Sequence, residues 1–187
     1  LIAIAFVRFS VFKGRLILSL VASAPLVMPE AVTGLSMLLL FIAMEISFGW
    51  PSGRGVDTIM IAHATFGMCF AAVVIQTRLR DMDKYLEEAA RDLGGRQPFV
   101  FLSITLPLIL PSIIAAWLLS FTLSFDDLVI ASFVSGPGSS TLPIVIFSKI
   151  RLGVSPEINA IATLMILTIS ILVLFGSILI LKREDKK

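Results

Sequence analysis

Cysteine, histidine and charge are all scarce in this chain, and each scarcity removes a class of protein. There is one cysteine, Cys69, and one histidine, His63. A lone thiol forms no intrachain disulfide, and one Cys with one His cannot fill the ligand set of a structural zinc site. Charged residues are 15% of the 187 positions, against about 25% in an ordinary soluble domain. The apolar runs therefore have no polar face to turn toward water, which excludes a soluble helical bundle. Nucleotide-binding motifs are missing too. The segment from Gly136 to Thr141, GPGSST, lacks the lysine and the correctly spaced second glycine of a phosphate-binding loop. Neither a nucleophile–base constellation nor a metal-ligating cluster is legible, so the sequence predicts no enzyme activity of its own and no cofactor.

What is present is oil. Apolar residues are 57% of the chain and the mean hydropathy is +1.01. The predicted spans are Leu35–Phe48 with an upstream extension, Thr58–Thr77, Leu108–Phe125 and Ile158–Leu181. The last holds no charged side chain and exceeds the roughly 20 residues that cross a bilayer. The chain is thus expected to be an all-α, polytopic membrane protein. It opens on LIAIAFVRF, seven apolar residues before Arg8, which is too short to span. This reads as the tail of a transmembrane helix whose beginning, with the N-terminal part of the protein, is absent. Taken as one helix, 16–48 would be roughly 50 Å long, more than the roughly 30 Å hydrocarbon core needs. Pro25 and Pro29 predict a break, with a short piece before Pro25 and a span from about Glu30 to Phe48. An apolar piece, Leu142–Ile150, is too short to span and predicts a short interfacial or re-entrant helix.

The bases sort by side. Arg54, Lys149 and Arg151 fall in one set of loops, and the other 12 of the 15 Lys and Arg fall in the alternate set. The positive-inside rule makes the heavy side cytoplasmic, and with it the C-terminus.

One cytoplasmic segment, 81–107, is unusually charged. Asp81 or Asp83 can cap a helix of roughly 11 residues, acids crowd its first turns, and Gly94 and Gly95 stop it. Leu86, Ala89, Ala90 and Leu93 share a shallow apolar face. Two readings stand open on these residues: a docking face whose Glu87 and Glu88 pair with a partner's arginines, or a linker helix closed onto its own bundle.

Glu88-Ala89-Ala90, then Gly94, then Ile104 and Leu106-Pro107 lie in the register of the EAA signature, and the chain so resembles the permeases of ABC importers. In that family the signature marks a cytoplasmic coupling helix seated on an ATPase subunit. The resemblance runs along the whole chain and implies a type I importer fold of about six helices per subunit, of which about four full spans and a partial one would be here. It also implies a single transmembrane domain over 1–187 with the coupling loop at 81–107. The blocks APLVMPEAVTGLS (24–36), FTLSFDDLVIASFVSGPGSSTLP (121–143) and GVSPEINAIAT (153–163) resemble the spermidine/putrescine (PotC/PotI type) permeases in particular. The implied partners are two copies of an ATPase, a homologous second permease, an extracytoplasmic polyamine-binding protein and the lipid of a bacterial inner membrane, with no nucleic acid. The implied mechanism is alternating access driven by that ATPase. Another small cationic solute such as an opine is the alternative substrate; a secondary carrier or channel is the alternative class.

A polyamine calls for carboxylates, aromatic faces and carbonyls. Acids in or near the spans are Glu30, Glu45, Asp126 and Asp127, and ionisable residues at such depth point to a pathway. Asp126, Asp127 and Glu30 are the candidate pathway residues. For each the alternative is a helix cap, and one acid of the pair Asp126–Asp127 can cap while the other lines the path. His63 is expected to hydrogen-bond across the bundle, and Glu45 and Trp50 to lie at the interface. Trp117 is expected to pack or line a cavity, and Thr122, Ser124, Ser132 and Ser135 to supply cavity wall.

Overall fold

A computed structural model describes residues 1–9, 11–83, 85–153 and 156–184. Among these, every regular element is helical: α1 (Ile2–Arg8), α2 (Arg15–Val27), α3 (Glu30–Phe48), α4 (Val56–Asp81), α5 (Tyr85–Asp92), α6 (Gln97–Val100), a π turn (Phe101–Thr105), α7 (Leu106–Phe125), α8 (Val129–Val134), α9 (Leu142–Leu152) and α10 (Pro156–Glu184). They form two compact units, Leu1–Thr141 and Leu142–Lys187.

Within the first unit, α4 packs along α7, α3 packs on α8, and α1 lies against α4. Among the described residues, three stretches are long and apolar enough to cross a membrane: Glu30–Phe48, Val56–Asp81 and the continuous Gln97–Phe125. Large apolar side chains such as Leu39, Leu40, Ile114 and Leu118 lie exposed along them, as lipid-facing residues do. Hydrocarbon gives helices no hydrophobic reason to associate, so close contact falls to small residues. Ala62, Gly67, Ala72 and Ala116 are the buried positions of α4 and α7 that serve this purpose. A Cβ at Gly67 would stand 3.2 Å from the Cβ of Ser120, so α4 and α7 come as near as a glycine allows. One apolar cluster (Phe41, Ala62, Phe66, Ile130, Val134) closes one end of the unit, and another (Ala3, Leu79, Met82, Ile109) closes the other.

The break in 16–48 falls at Met28–Pro29, later than expected. α2 runs through Pro25 to Val27. Pro25 forgoes the bond to the carbonyl four residues earlier, and the last turn still closes through the Met28 N–H on the Ala24 carbonyl at 3.0 Å. Met28 takes an extended conformation (ψ 143°), as a residue before proline prefers, and Glu30 then opens α3. α4 exceeds its predicted span at both ends. At its start the Gly55 N–H donates to Thr58 Oγ1 at 2.9 Å, and the buried Thr58 hydroxyl reaches the Val134 carbonyl at 2.7 Å.

The second unit holds α9, where a short helix is expected, and α10, which carries the last predicted span.

Candidate functional site

The signature segment is built around α5. Asp83 Oδ1 accepts the Tyr85 N–H at 2.9 Å, so the helix starts after the later of the two candidate caps and is 8 residues long, not 11. At its end the Gly94 N–H donates to the Arg91 carbonyl at 2.8 Å and the Gly95 N–H to the Ala90 carbonyl at 3.0 Å. This is a Schellman cap. Gly94 has φ +87°, and a Cβ at Gly95 would lie 2.7 Å from the Ala90 oxygen, so both positions call for glycine.

Leu86, Ala89 and Leu93 are exposed and Ala90 is half-buried, leaving the shallow apolar face uncovered, with Glu88 exposed beside it. Glu87 departs from its expected role toward a partner. It turns inward and is buried, its Oε1 accepting from Arg8 Nη2 at 2.5 Å and from Thr105 Oγ1 at 2.6 Å. Arg91 adds a contact to Oε2 at 3.5 Å. A buried carboxylate is stable only when its acceptors are filled, and these donors tie α1, α5 and the π turn together.

The π turn has a local cause. Pro107 has no N–H to offer the preceding turn, and Leu106 instead donates to the Phe101 carbonyl five residues back. The wide turn ends on Thr105, which is buried against Glu87. Ile104 and Leu106 are half-buried, and Pro107 is exposed in the first turn of α7. The signature thus divides physically. Glu88, Ala89 and Ala90 lie on or beside the outward face; Gly94 caps the helix; Ile104, Leu106 and Pro107 set the start of α7. An open cavity of about 270 Å³ lies behind α5, lined by Arg8, Glu87, Glu88, Arg91, Gln97 and Thr105.

The second region lies at the far end of α7. Asp126 is its C-cap residue, exposed and without a side-chain partner among the described residues. Asp127 is the capping acid. Its Oδ1 accepts the Ile130 N–H at 3.1 Å, and its Oδ2 accepts the Ala131 N–H at 2.7 Å and His63 Nε2 at 3.0 Å. The other ring nitrogen, Nδ1, is 2.7 Å from Ser124 Oγ. This chain bridges α4, α7 and α8. It borders a groove of about 660 Å³ between α4 and α7, whose wall includes His63, Gly67, Trp117, Ser120, Phe121 and Ser124. Trp117 and Phe121 stack at 5.7 Å, and Phe121 and Phe125 at 5.5 Å.

Glu30 is exposed in the first turn of α3 and does not line the groove, nor does Glu45. Of the four hydroxyls expected in a cavity wall, only Ser124 lines the groove. Thr122 bonds the Leu118 carbonyl and Ser132 the Val129 carbonyl. The roles of Glu87 and Ser120 escaped the sequence reading. Glu87 stands one residue outside the signature, and its partner Arg8 is 79 positions away. The only signal was that adjacent residues on a helix point about 100° apart, so Glu87 and Glu88 do not share a face.

Residues 1–183 match the binding-protein-dependent transport system inner membrane components. The chain belongs to that family, and is a membrane protein. Over 185 residues it is 52% identical to the putrescine transport system permease protein PotI of Escherichia coli (strain K12), covering 99% of this chain and 66% of that protein. It is 38% identical over 186 residues to the spermidine/putrescine transport system permease protein PotC of the same strain, covering 100% of this chain and 67% of PotC. The PotC of Haemophilus influenzae is 40% identical over 184 residues, 98% of this chain and 69% of that protein. The chain thus spans about two thirds of the length of these relatives.

Proposed function

We propose that this chain belongs to the permease subunit of an ATP-driven importer of polyamines, putrescine or spermidine, in a bacterial inner membrane. The observation that carries the coupling part is α5 itself, a rigidly capped helix with an uncovered small-residue face and an outward Glu88. That face suits close docking on an ATPase, two copies of which would supply the energy, since the chain carries no nucleotide-binding motif and is not itself an enzyme. Glu88, Ala89 and Ala90 meet the ATPase, and Gly94, Ile104, Leu106 and Pro107 hold the helix in register with α7. Residues 1–187 act as one transmembrane domain with 81–107 as its coupling loop and the C-terminus in the cytoplasm. A homologous second permease completes the path, and an extracytoplasmic binding protein delivers the solute. The substrate reading is supported by the 52% identity to a putrescine permease. Asp126, free at the end of α7, is the pathway acid. Asp127 positions His63, and Glu30 stands at the start of α3.

The test is ATP-dependent uptake of radiolabelled putrescine by the full complex reconstituted in liposomes. Competition by spermidine but not by amino acids is expected. Absence of ATP-dependent polyamine uptake overturns the reading.

A further inference from the structure

The groove between α4 and α7 has a polarity that its composition does not announce. Two serines of α7 line it, Ser120 and Ser124, one helical turn apart. Each has already committed its proton. Ser120 Oγ donates to the Gly67 carbonyl at 3.1 Å. Ser124 Oγ is 2.7 Å from His63 Nδ1, and its role there depends on what the far side of the ring bonds. With the imidazole neutral and the Asp127 carboxylate accepting, the ring hydrogen sits on Nε2, Nδ1 keeps its lone pair, and the Ser124 hydroxyl donates to it. Both hydroxyls therefore turn only lone pairs toward the groove. Among the described residues no Asp, Glu, Lys or Arg lines it, and the rest of that wall, His63 aside, is apolar or aromatic, with Trp117 and Phe121 beside the serines.

Such a wall accepts hydrogen bonds and favours positive charge through its ring faces. Carboxylates and phosphates find little to bind there. The two serines are separated by a rise of about 6 Å along the helix, four residues at roughly 1.5 Å each. Two nitrogens joined by four carbons in extended form are separated by about the same distance, five bonds each advancing somewhat under their roughly 1.5 Å length. We propose that Ser120 and Ser124 form a paired acceptor station in the membrane that takes the two ends of a short alkyl diammonium lengthwise, its methylenes against the apolar wall. The proposal rests on the importer reading and deepens it: the path, and not the binding protein alone, discriminates by chain length. His63 and Asp127 act as positioning residues that keep the Ser124 lone pairs facing the solute. The station is shallow and uncharged, which lets a solute leave again, as transport requires.

The experiment measures uptake by the full complex in liposomes at saturating concentrations of diamines with three, four, five and six carbons, with a saturated binding protein so that translocation is read. The variants are Ser124→Ala and Ser124→Thr, each checked for assembly by size-exclusion in detergent. Wild-type uptake is expected to peak at four carbons. Ser124→Ala is expected to lose five- to tenfold at four carbons and to flatten the length dependence, while Ser124→Thr, which keeps the hydroxyl, retains both. Wild-type uptake of diamines with no length preference, or an assembled Ser124→Ala complex with unchanged rate and preference, overturns the station and leaves the importer reading standing. No ATP-dependent diamine uptake by wild type overturns the importer reading and the station with it.

Discussion

Two pairs of adjacent acids stand at opposite ends of α7's neighbourhood, Glu87–Glu88 beside its start and Asp126–Asp127 at its end, and both split the same way. In each pair one carboxylate is inward with its oxygens filled and the other is exposed. The difference lies in the donors. Glu87 is held by side chains, Arg8 and Thr105 from outside its own helix and Arg91 one turn further along it. Asp127 is held mainly by backbone N–H groups three and four residues ahead, with His63 added from α4. The first is a tertiary clamp that holds α1, α5 and the π turn together. The second is a local cap that also aims an imidazole. A clamp fails as a unit when one member is lost; a cap fails piecemeal.

That contrast can be broken at the clamp first. Glu87→Ala is expected to destabilise most, by about 3–5 kcal/mol, because Arg8 is left partly buried and unpaired. A large drop in thermal unfolding temperature in detergent reads it, and Arg8→Leu with Glu87→Leu should recover most of the loss. Asp127→Asn is expected to cost less, about 1–3 kcal/mol, since the amide oxygen keeps one cap bond while its NH₂ faces a donor. Equal losses for the two variants would erase the distinction between clamp and cap. Gly94→Ala should cost about 1–2 kcal/mol, the strain of a Cβ at positive φ, read by the same melt. The exposed partners come last in stability. Glu88→Lys and Asp126→Asn are each expected to stay within about 0.5 kcal/mol of wild type. Their effect should appear in uptake instead. Glu88→Lys is expected to cut ATP-driven import at least tenfold with normal membrane insertion, and Asp126→Asn to cut it severalfold with normal assembly. Normal import by the Glu88→Lys protein would remove the docking role of α5.

Much of the coupling segment was legible because its rules are local. The capping aspartate, the glycine stop and the apolar face Leu86, Ala89, Ala90 and Leu93 depend on residues a few positions apart, and the structure realises all three. The helix came out shorter than expected because two acids competed for one cap and Asp83, the later, took it. The break at Pro29 was legible, and the survival of α2 through Pro25 was not, since it depends on how little helix remains to be lost after the proline. For Asp126 and Asp127 the sequence offered two roles without saying which acid took which. The assignment follows from α8, whose first free N–H groups lie within reach of Asp127 and not of its neighbour.

By itself the sequence determined that this is a membrane protein of helices, where most of the spans run, and which short helix is charged and capped. These follow from hydropathy, proline geometry and hydrogen bonds between near neighbours, all of which act along the chain. Only the tertiary structure decided that Glu87 faces inward while Glu88 does not, that His63 joins Asp127 to Ser124, and that Ser120 and Ser124 line a groove. Each of those depends on residues from separate helices arriving at one place, and a buried carboxylate or hydroxyl takes its role from whichever donors and acceptors the packing brings within about 3 Å.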